Sequence, residues 1–335
     1  MPELPDVEGF RRVLSEHTGE PIRAVRVRDP GILRDISARR LADALRGHRF
    51  ERPRRHGKWL IAPAGGPVLM LHFGMTGSLS WHSPGEPRHR HDRVVWQFDD
   101  GELRFRDMRK LQGVRLAGDE HQAERVIGDL GPDARDVSRE RFDGLLSGRR
   151  GRLKSVLTDQ TFVAGLGNLL ADEICWQARV NPLRAAGDLD RTERTALFKA
   201  MRRVLRESIK AGCVPPRDTW LTGARDEPDG PCPRCGTPLS HRRIAGRMTV
   251  WCPGCQPSLP GRAVVTAHGS ELVARISPSG ATRISHQGPR GSAHQWPRGS
   301  ARQGAPEAEV ASAFEVGAPD GVRSGGEALA PLCAG

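Results

Sequence analysis

At 335 residues the chain has room for two ordinary domains with sizeable cores. A mean hydropathy of −0.51 and the lack of any membrane-length apolar run or signal-peptide pattern argue against a membrane or secreted protein, so the cytoplasm is the expected location. The net charge of +12 calls for a polyanionic partner, of which nucleic acid is the commonest.

That charge belongs to the body of the chain. Residues 257–335 carry seven Arg and six acids, a net of +1, which leaves +11 for residues 1–256. Of the 52 basic residues only five are Lys, so genomic base composition is a competing explanation for the Arg excess.

In chain order, Val7, Phe10, Leu14 and His17 recur at helical spacing and predict a short amphipathic helix over 4–18. From about 20 to 118 the pattern reads as strands. "PIRAVRVRD" is β-branched, "KWLIAPAGGPVLMLHFGMTGSL" is two apolar runs joined by a Gly-Pro turn, and "VVWQFDDGELRFRD" alternates around Asp100-Gly101. Short strands with tight turns predict an all-β sandwich or barrel. From about 136 the signals become helical. Ser138 is a plausible N-cap for a helix that ends at Gly148, and Leu197, Met201, Val204, Leu205 and Ile209 form one stripe that ends before Gly212. Beyond Gln256 the texture turns to Gly, Ser, Pro, Ala and Arg, too poor in large apolar residues to offset ordering entropy. Residues 257–335 are therefore expected to be a low-complexity, disordered tail.

Three signals carry chemistry. Cys232-x2-Cys235, sixteen residues, then Cys252-x2-Cys255 matches a four-cysteine zinc pattern, in which each Cys-x2-Cys turn delivers two thiolates to one edge of a tetrahedron. Four thiolates leave no open coordination position, so one structural Zn²⁺ is expected; a pair of disulfides is the competing reading. The intervening "LSHRRIAGRMTVW" predicts a hairpin turning at Ala245-Gly246, with Arg247 beside its tip, suited to a groove or phosphate and otherwise a solvated charged turn.

In "DQTFVAGLGNLLADE", Gly165 and Gly167 predict a tight turn ahead of a helix with Asn168 at its cap. Free N–H groups and the positive helix end would then hold a phosphate, flanked by Arg149, Arg150, Arg152 and Lys154. An ordinary helix cap is the plainer alternative. Lys58, in "RRHGKWLI", is one of only five lysines; unlike Arg, Lys gives up its proton when its environment shifts it, though a surface lysine explains it equally well.

"PELPDVE", "RRHGKWLI", "LHFGMTGSL", "HDRVVW", "RDMRKLQGV", "DQTFVAGLGNLLADEICWQA" and the four-cysteine hairpin together resemble, in order and spacing over residues 2–256, the formamidopyrimidine-DNA glycosylase and endonuclease VIII family. The resemblance implies an α+β multidomain fold: a β-sandwich catalytic domain with an N-terminal helix (2–118), a helix-two-turn-helix DNA-binding domain (136–225) and a zinc hairpin (230–256), with damaged duplex DNA held in the cleft.

It also implies a bifunctional DNA glycosylase and AP lyase of base excision repair. With Met1 removed, Pro2 would be the nucleophile, Glu3 a proton shuttle at the sugar, Lys58 a general acid/base and Arg247 a clamp on the flanking phosphates, with Asn168 a second clamp. His91 and Arg109 would contact DNA, Met75 with Arg109 would enter the gap left by the flipped base, and Leu111 would wedge beside the opposite base. Asp6 and Glu8 are given a supporting role, with a solvated first helical turn as the alternative. A monomer without membrane contact, associated with the nucleoid, completes the expectation.

Three departures bear on the lesion. Leu111 stands where the formamidopyrimidine branch usually has Phe, the stretch between Gly212 and Cys232 is shorter than that branch's lesion-capping region, and the chain has no tyrosine. A zinc-dependent binder of damaged or abasic DNA without turnover is the rival class.

Overall fold

The computed structural model describes residues 1–227, 229–258, 264–267 and 270–273. Two compact units make up the chain, Met1–Pro260 with Leu332–Gly335, and Gly261–Pro331.

In the first unit, α1 (Leu4–Glu16) opens the chain, with Pro5 in its first turn and Asp6 completing a capping box with Glu3. Its apolar face, Val7, Phe10 and Leu14, lies in the core, and His17 ends the helix and stacks on Trp81. There follow β1 (Ala24–Val27), α2 (Ala38–Leu45), β2 (Arg54–His56), β3 (Trp59–Pro63), β4 (Val68–His72), β5 (Ser78–His82), β6 (Asp92–Gln97), β7 (Glu102–Arg106) and β8 (Gly113–Ala117). The strands form two antiparallel four-stranded sheets, ordered β1-β6-β7-β5 and β2-β3-β4-β8. Phe50, Leu60, Leu71, Phe73, Trp96 and Phe105 fill the space between the sheets, so the arrangement is a sandwich.

The all-strand reading of 20–118 missed α2. Ser37 caps that helix through Arg40 N, and Leu41 and Leu45, one turn apart, are buried, a spacing the sequence already carries. A further helix, α3 (Glu120–Ile127), sets Ala123, Val126 and Ile127 over the outer side of the second sheet against Ile61, Val68 and Met70, which explains why β4 is buried on both faces.

The helical part comprises α4 (Arg139–Ser147), α5 (Leu153–Leu157), α6 (Asn168–Ala178), α7 (Arg191–Ala211) and α8 (Leu221–Ala224). Ser138 accepts from Arg141 N and Gly148 closes α4, while Gly212, at φ 76°, closes α7. Their core gathers Phe142, Leu157, Phe162, Ile174, Leu197, Met201 and Val204, and includes Leu4 from the N-terminal helix. The unit ends in a hairpin, β9 (Ser240–Ile244) and β10 (Arg247–Trp251), whose two turn residues Ala245 and Gly246 both have positive φ, as a two-residue turn demands. Among the described residues no helix is long and apolar enough to cross a membrane.

In the second unit, β11 (Val264–Ala267) pairs antiparallel with β12 (Ser270–Val273). The expected disordered tail thus contains paired strands at these positions; most of that expectation, residues 274–335 included, lies outside the described residues.

Candidate active site and DNA interface

The centre of the site is the N-terminus. Glu3 is 1% exposed, and its carboxylate accepts from Leu169 N at 2.8 Å and Leu170 N at 3.2 Å. It therefore occupies the amide end of α6, where a negative charge is favoured by the helix dipole. The neighbouring backbone repeats the attachment, with Leu4 N donating to Gly165 O at 3.1 Å. Both glycines are needed for this approach: a Cβ on Gly167 would lie 2.2 Å from Glu3 Cδ, and one on Gly165, at φ +109°, 2.7 Å from Leu4 Cδ1. Pro2 is half-exposed beside this anchor, still joined to an exposed Met1.

This corrects the expected phosphate cradle. The N-cap of α6 is Gly167 and not Asn168, and two of its amides are taken by Glu3. Asn168 is the first helical residue, half-exposed, with its side-chain oxygen buried and without a hydrogen-bond partner.

Lys58 occupies the tip of the β2–β3 hairpin, where His56 pairs with Trp59 and Gly57-Lys58 make the turn. Asp133 fixes that turn: it accepts from Gly57 N at 2.7 Å and binds Arg55 through both oxygens at 2.5 and 2.9 Å, while Glu8 lies on the other side of the same guanidinium at 3.4 Å. Burial pushes the Lys58 ammonium below its ordinary range; Glu3 and Asp6 pull it back up, and Arg247 pushes it further down. His72 nearby is held neutral, its pKa lowered to about 4 by burial and by the Lys58 charge. Burial, with Glu3 close by, pushes the Asp6 carboxyl up to about 6 although it accepts from Glu3 N at 2.8 Å. Residues 3, 6, 58 and 247 thus share one electrostatic field. The Arg247 side chain is exposed and, among the described residues, makes no hydrogen bond or ion pair, while its backbone pairs with Ile244 across the hairpin.

At the far end of the hairpin, the thiols of Cys232, Cys235, Cys252 and Cys255 all lie within 4.8 Å of one another, and three of their separations are 3.9, 3.5 and 3.4 Å. A tetrahedron with Zn–S bonds of about 2.3 Å requires S···S separations of about 3.8 Å, so these residues fit one zinc ion. Trp176 Nε1 donates to Cys232 Sγ at 3.4 Å and Cys255 N to Cys252 Sγ at 3.3 Å, contacts that favour thiolates.

Family models describing the formamidopyrimidine-DNA glycosylase N-terminal domain, its H2TH domain and a zinc finger found in FPG and IleRS match residues 1–114, 130–216 and 230–257. The formamidopyrimidine-DNA glycosylase of Desulfitobacterium hafniense is 35% identical over 272 residues, 76% of this chain and 100% of the relative; that of Heliobacterium modesticaldum is 37% identical over 279 residues, again 76% and 100%. The chain belongs to the formamidopyrimidine-DNA glycosylase family. It is a base-excision-repair glycosylase with AP lyase activity and one structural zinc. Among solved structures, Lactococcus lactis Fpg bound to DNA with an abasic site superposes with a TM-score of 0.70 at 28% identity, covering 76% of this chain and 100% of that one. MutM in complex with DNA carrying carbocyclic 8-oxo-G gives 0.69 at 28%, covering 77% and 100%.

The glycosylase's remaining predicted contacts divide into two groups. Met75, Arg109 and Leu111 share one exposed loop cluster, with Met75 41% and Leu111 50% exposed and Arg109 Nη1 3.0 Å from Met75 Sδ. Asp107 and Thr76 hold this cluster by accepting from Arg109 N, and Lys110, at φ 52°, ties it to Asp29 at 2.8 Å while Arg34 Nη2 donates to the Lys110 carbonyl at 2.6 Å. Sequence reasoning missed Met108, the most exposed large apolar residue of the loop at 55%, and the Asp29–Lys110 staple, for which the rarity of lysine was a usable signal. His91 sits nearby with Arg93 Nη2 2.9 Å from Nδ1; partial desolvation and the cations Arg90 and Arg93 hold it below its usual pKa.

The second group is the basic segment before α6. Arg149 is half-exposed, stacked over Phe162 and paired with Asp159 at 3.2 Å, and Arg150 and Arg152 are exposed. Lys154 is a correction: it is 2% exposed, with Nζ 2.7 Å from Asp172 Oδ1 and 2.6 Å from the Met248 carbonyl oxygen, so it faces the interior and not a phosphate. A buried cation takes the internal carboxylate that offsets its desolvation.

Proposed function

We propose that the chain excises oxidised bases from duplex DNA and cuts the resulting abasic site by β- and then δ-elimination, with Pro2 as nucleophile once Met1 has been removed. The observation that carries this reading is the convergence of Glu3, Asp6, Lys58 and Arg247, from three distant segments, around the chain's first residues. A free proline terminus is a secondary amine that titrates near neutrality, so a useful fraction is unprotonated.

The Pro2 nitrogen attacks C1′ of the flipped nucleotide, and the base leaves with a proton. Opening of the sugar, with Glu3 passing to the ring oxygen the proton that the Pro2 nitrogen sheds after attack, yields an iminium. This electron sink acidifies the 2′ proton, whose loss expels the 3′ phosphate; the extended conjugation then acidifies the 4′ proton, whose loss expels the 5′ phosphate. Lys58, its ammonium destabilised by burial, serves as general acid/base. Arg247, whose side chain has no hydrogen bond or ion pair among the described residues, clamps the phosphates beside the lesion, and Asn168 and Arg149 add contacts. Met75 with Arg109 fills the gap, Leu111 wedges beside the opposite base, and His91 contacts the backbone. Such an enzyme works on the nucleoid, in the cytoplasm, as a monomer.

Borohydride trapping on an abasic duplex tests the reading. The mature protein should become covalently linked to the DNA, and a form that retains Met1 should not. No adduct from a protein shown to start at Pro2 would overturn Pro2 as the nucleophile. Duplexes carrying 8-oxoguanine, formamidopyrimidine or an oxidised pyrimidine then identify the lesion.

A further inference from the structure

Lys154, Asp172 and Arg225 form a buried cluster that no step above uses. Asp172, on α6 one turn beyond the amides held by Glu3, is 0% exposed, and its carboxylate meets Lys154 Nζ at 2.7 Å and Arg225 Nη2 at 2.9 Å. Arg225 has a second carboxylate, Asp226 at 2.8 Å, whereas the buried Lys154 ammonium takes the Met248 carbonyl at 2.6 Å as its further acceptor. Met248 is the residue after Arg247 on β10. Arg225, 6% exposed, lies on the segment leading to the zinc ligands, and its own carbonyl lies 3.0 Å from His241 Nε2 on β9.

The hairpin is thus held at two ends. At the zinc end, Trp176, Leu239, Val250, Cys232 and Cys252 form a small apolar core. Near the tip the polar attachment is Lys154, because among the described residues the Arg247 side chain makes no hydrogen bond or ion pair of its own. One helix, α6, therefore carries both the anchor of Glu3 at its first turn and, through Asp172, the anchor of the hairpin.

We infer that Lys154 and Asp172 are positioning residues that set the reach of Arg247 relative to the N-terminal nucleophile, by tying the Met248 carbonyl to the same helix that binds Glu3. Lys154 touches no substrate; it acts through the hairpin backbone.

The inference rests on the role proposed for Arg247, and a double-substitution cycle separates the two. Strand cleavage of an abasic duplex is measured for wild type, K154M, R247A and K154M/R247A, with zinc content and melting temperature alongside. K154M is expected to slow cleavage about tenfold with zinc retained, and the double variant to be no slower than R247A alone. A product of the two single effects would overturn the inference, because a merely structural lysine weakens the enzyme whether or not Arg247 is present; so would full activity in K154M. Lack of any effect of R247A would instead overturn the role of Arg247. Should K154M fail to fold, K154R and D172N carry the same cycle: K154R, which keeps the charge and the donor, is expected to retain activity, and D172N to lose it only in the Arg247 background. Equal loss from D172N in both backgrounds would overturn the inference.

Discussion

The Glu3 carboxylate accepts from the backbone N–H of Leu169 at 2.8 Å, across 166 residues of sequence. The chain terminus is thereby fastened to a helix end by a charge-assisted hydrogen bond, where most termini fray. Gly167 makes room for it. The variant G167A should lose about 1–3 kcal/mol of stability by overpacking, because the new Cβ meets Glu3 Cδ at 2.2 Å. It should also lose most abasic-site cleavage by displacing Glu3. Urea unfolding and a cleavage assay check both, and wild-type values in G167A would contradict the anchor.

Lys58 should titrate below an ordinary lysine, since burial is the largest influence on it. The sign of its neighbours is separable. Replacing Glu3 by Gln removes an anion that favours the ammonium and should lower the Lys58 pKa further; replacing Arg247 by Ala removes a repelling cation and should raise it. With only five lysines in the chain, ¹³C-labelled side-chain NMR resolves the titration directly. Identical curves in all three proteins would disconnect Glu3 and Arg247 from Lys58.

Asp29 holds the wedge loop by accepting from Lys110 at 2.8 Å and pairing with Arg93 at 3.1 Å. The variant D29A should bind a duplex with an abasic analogue about three- to tenfold more weakly, on the order of 1 kcal/mol for a partly exposed pair. Undamaged duplex, which offers no gap for Met75 and Arg109, should be bound almost as before. Equal weakening of both would point to charge alone, measurable by fluorescence anisotropy at fixed salt.

Glu173, fully buried on α6, accepts from Thr222 N at 3.0 Å and Gln177 at 2.6 Å, yet burial pushes its pKa up to about 7. A folded pKa above the unfolded value means that the folded state binds the extra proton. The associated stability is fully present below about pH 4.5 and is lost as pH rises through 7. Relative to E173Q, which cannot titrate, the wild type should lose about 2 kcal/mol between pH 5.5 and 8.5. Parallel stability profiles for the two proteins would refute the shift.

Zinc removal should be local in its effect. A strong chelator should extract one zinc per chain and weaken DNA binding at least tenfold by freeing the hairpin that carries Arg247. The sandwich has its own core, so a substantial share of the β-sheet signal in circular dichroism should survive. Loss of all secondary structure on chelation would show that the zinc holds the whole unit together.

The features legible in the chain order were local or repeated. The Ser138 cap, the Gly212 stop, the Ala245-Gly246 turn and the two Cys-x2-Cys pairs each act over a few residues, so their physics is present in the chain order. Several strands were likewise legible from alternation, as in β6 and β7 around Asp100-Gly101. Which groups meet depends on long-range packing. Gly-Leu-Gly-Asn reads as an open anion cradle until Glu3, 166 positions away, occupies its amides. Lys154 reads as a surface charge until Asp172 and a carbonyl from residue 248 enclose it. A residue's type declares its charge and donors, but burial and partners are set by long-range packing, and these determine whether a lysine faces DNA or fastens the hairpin that does.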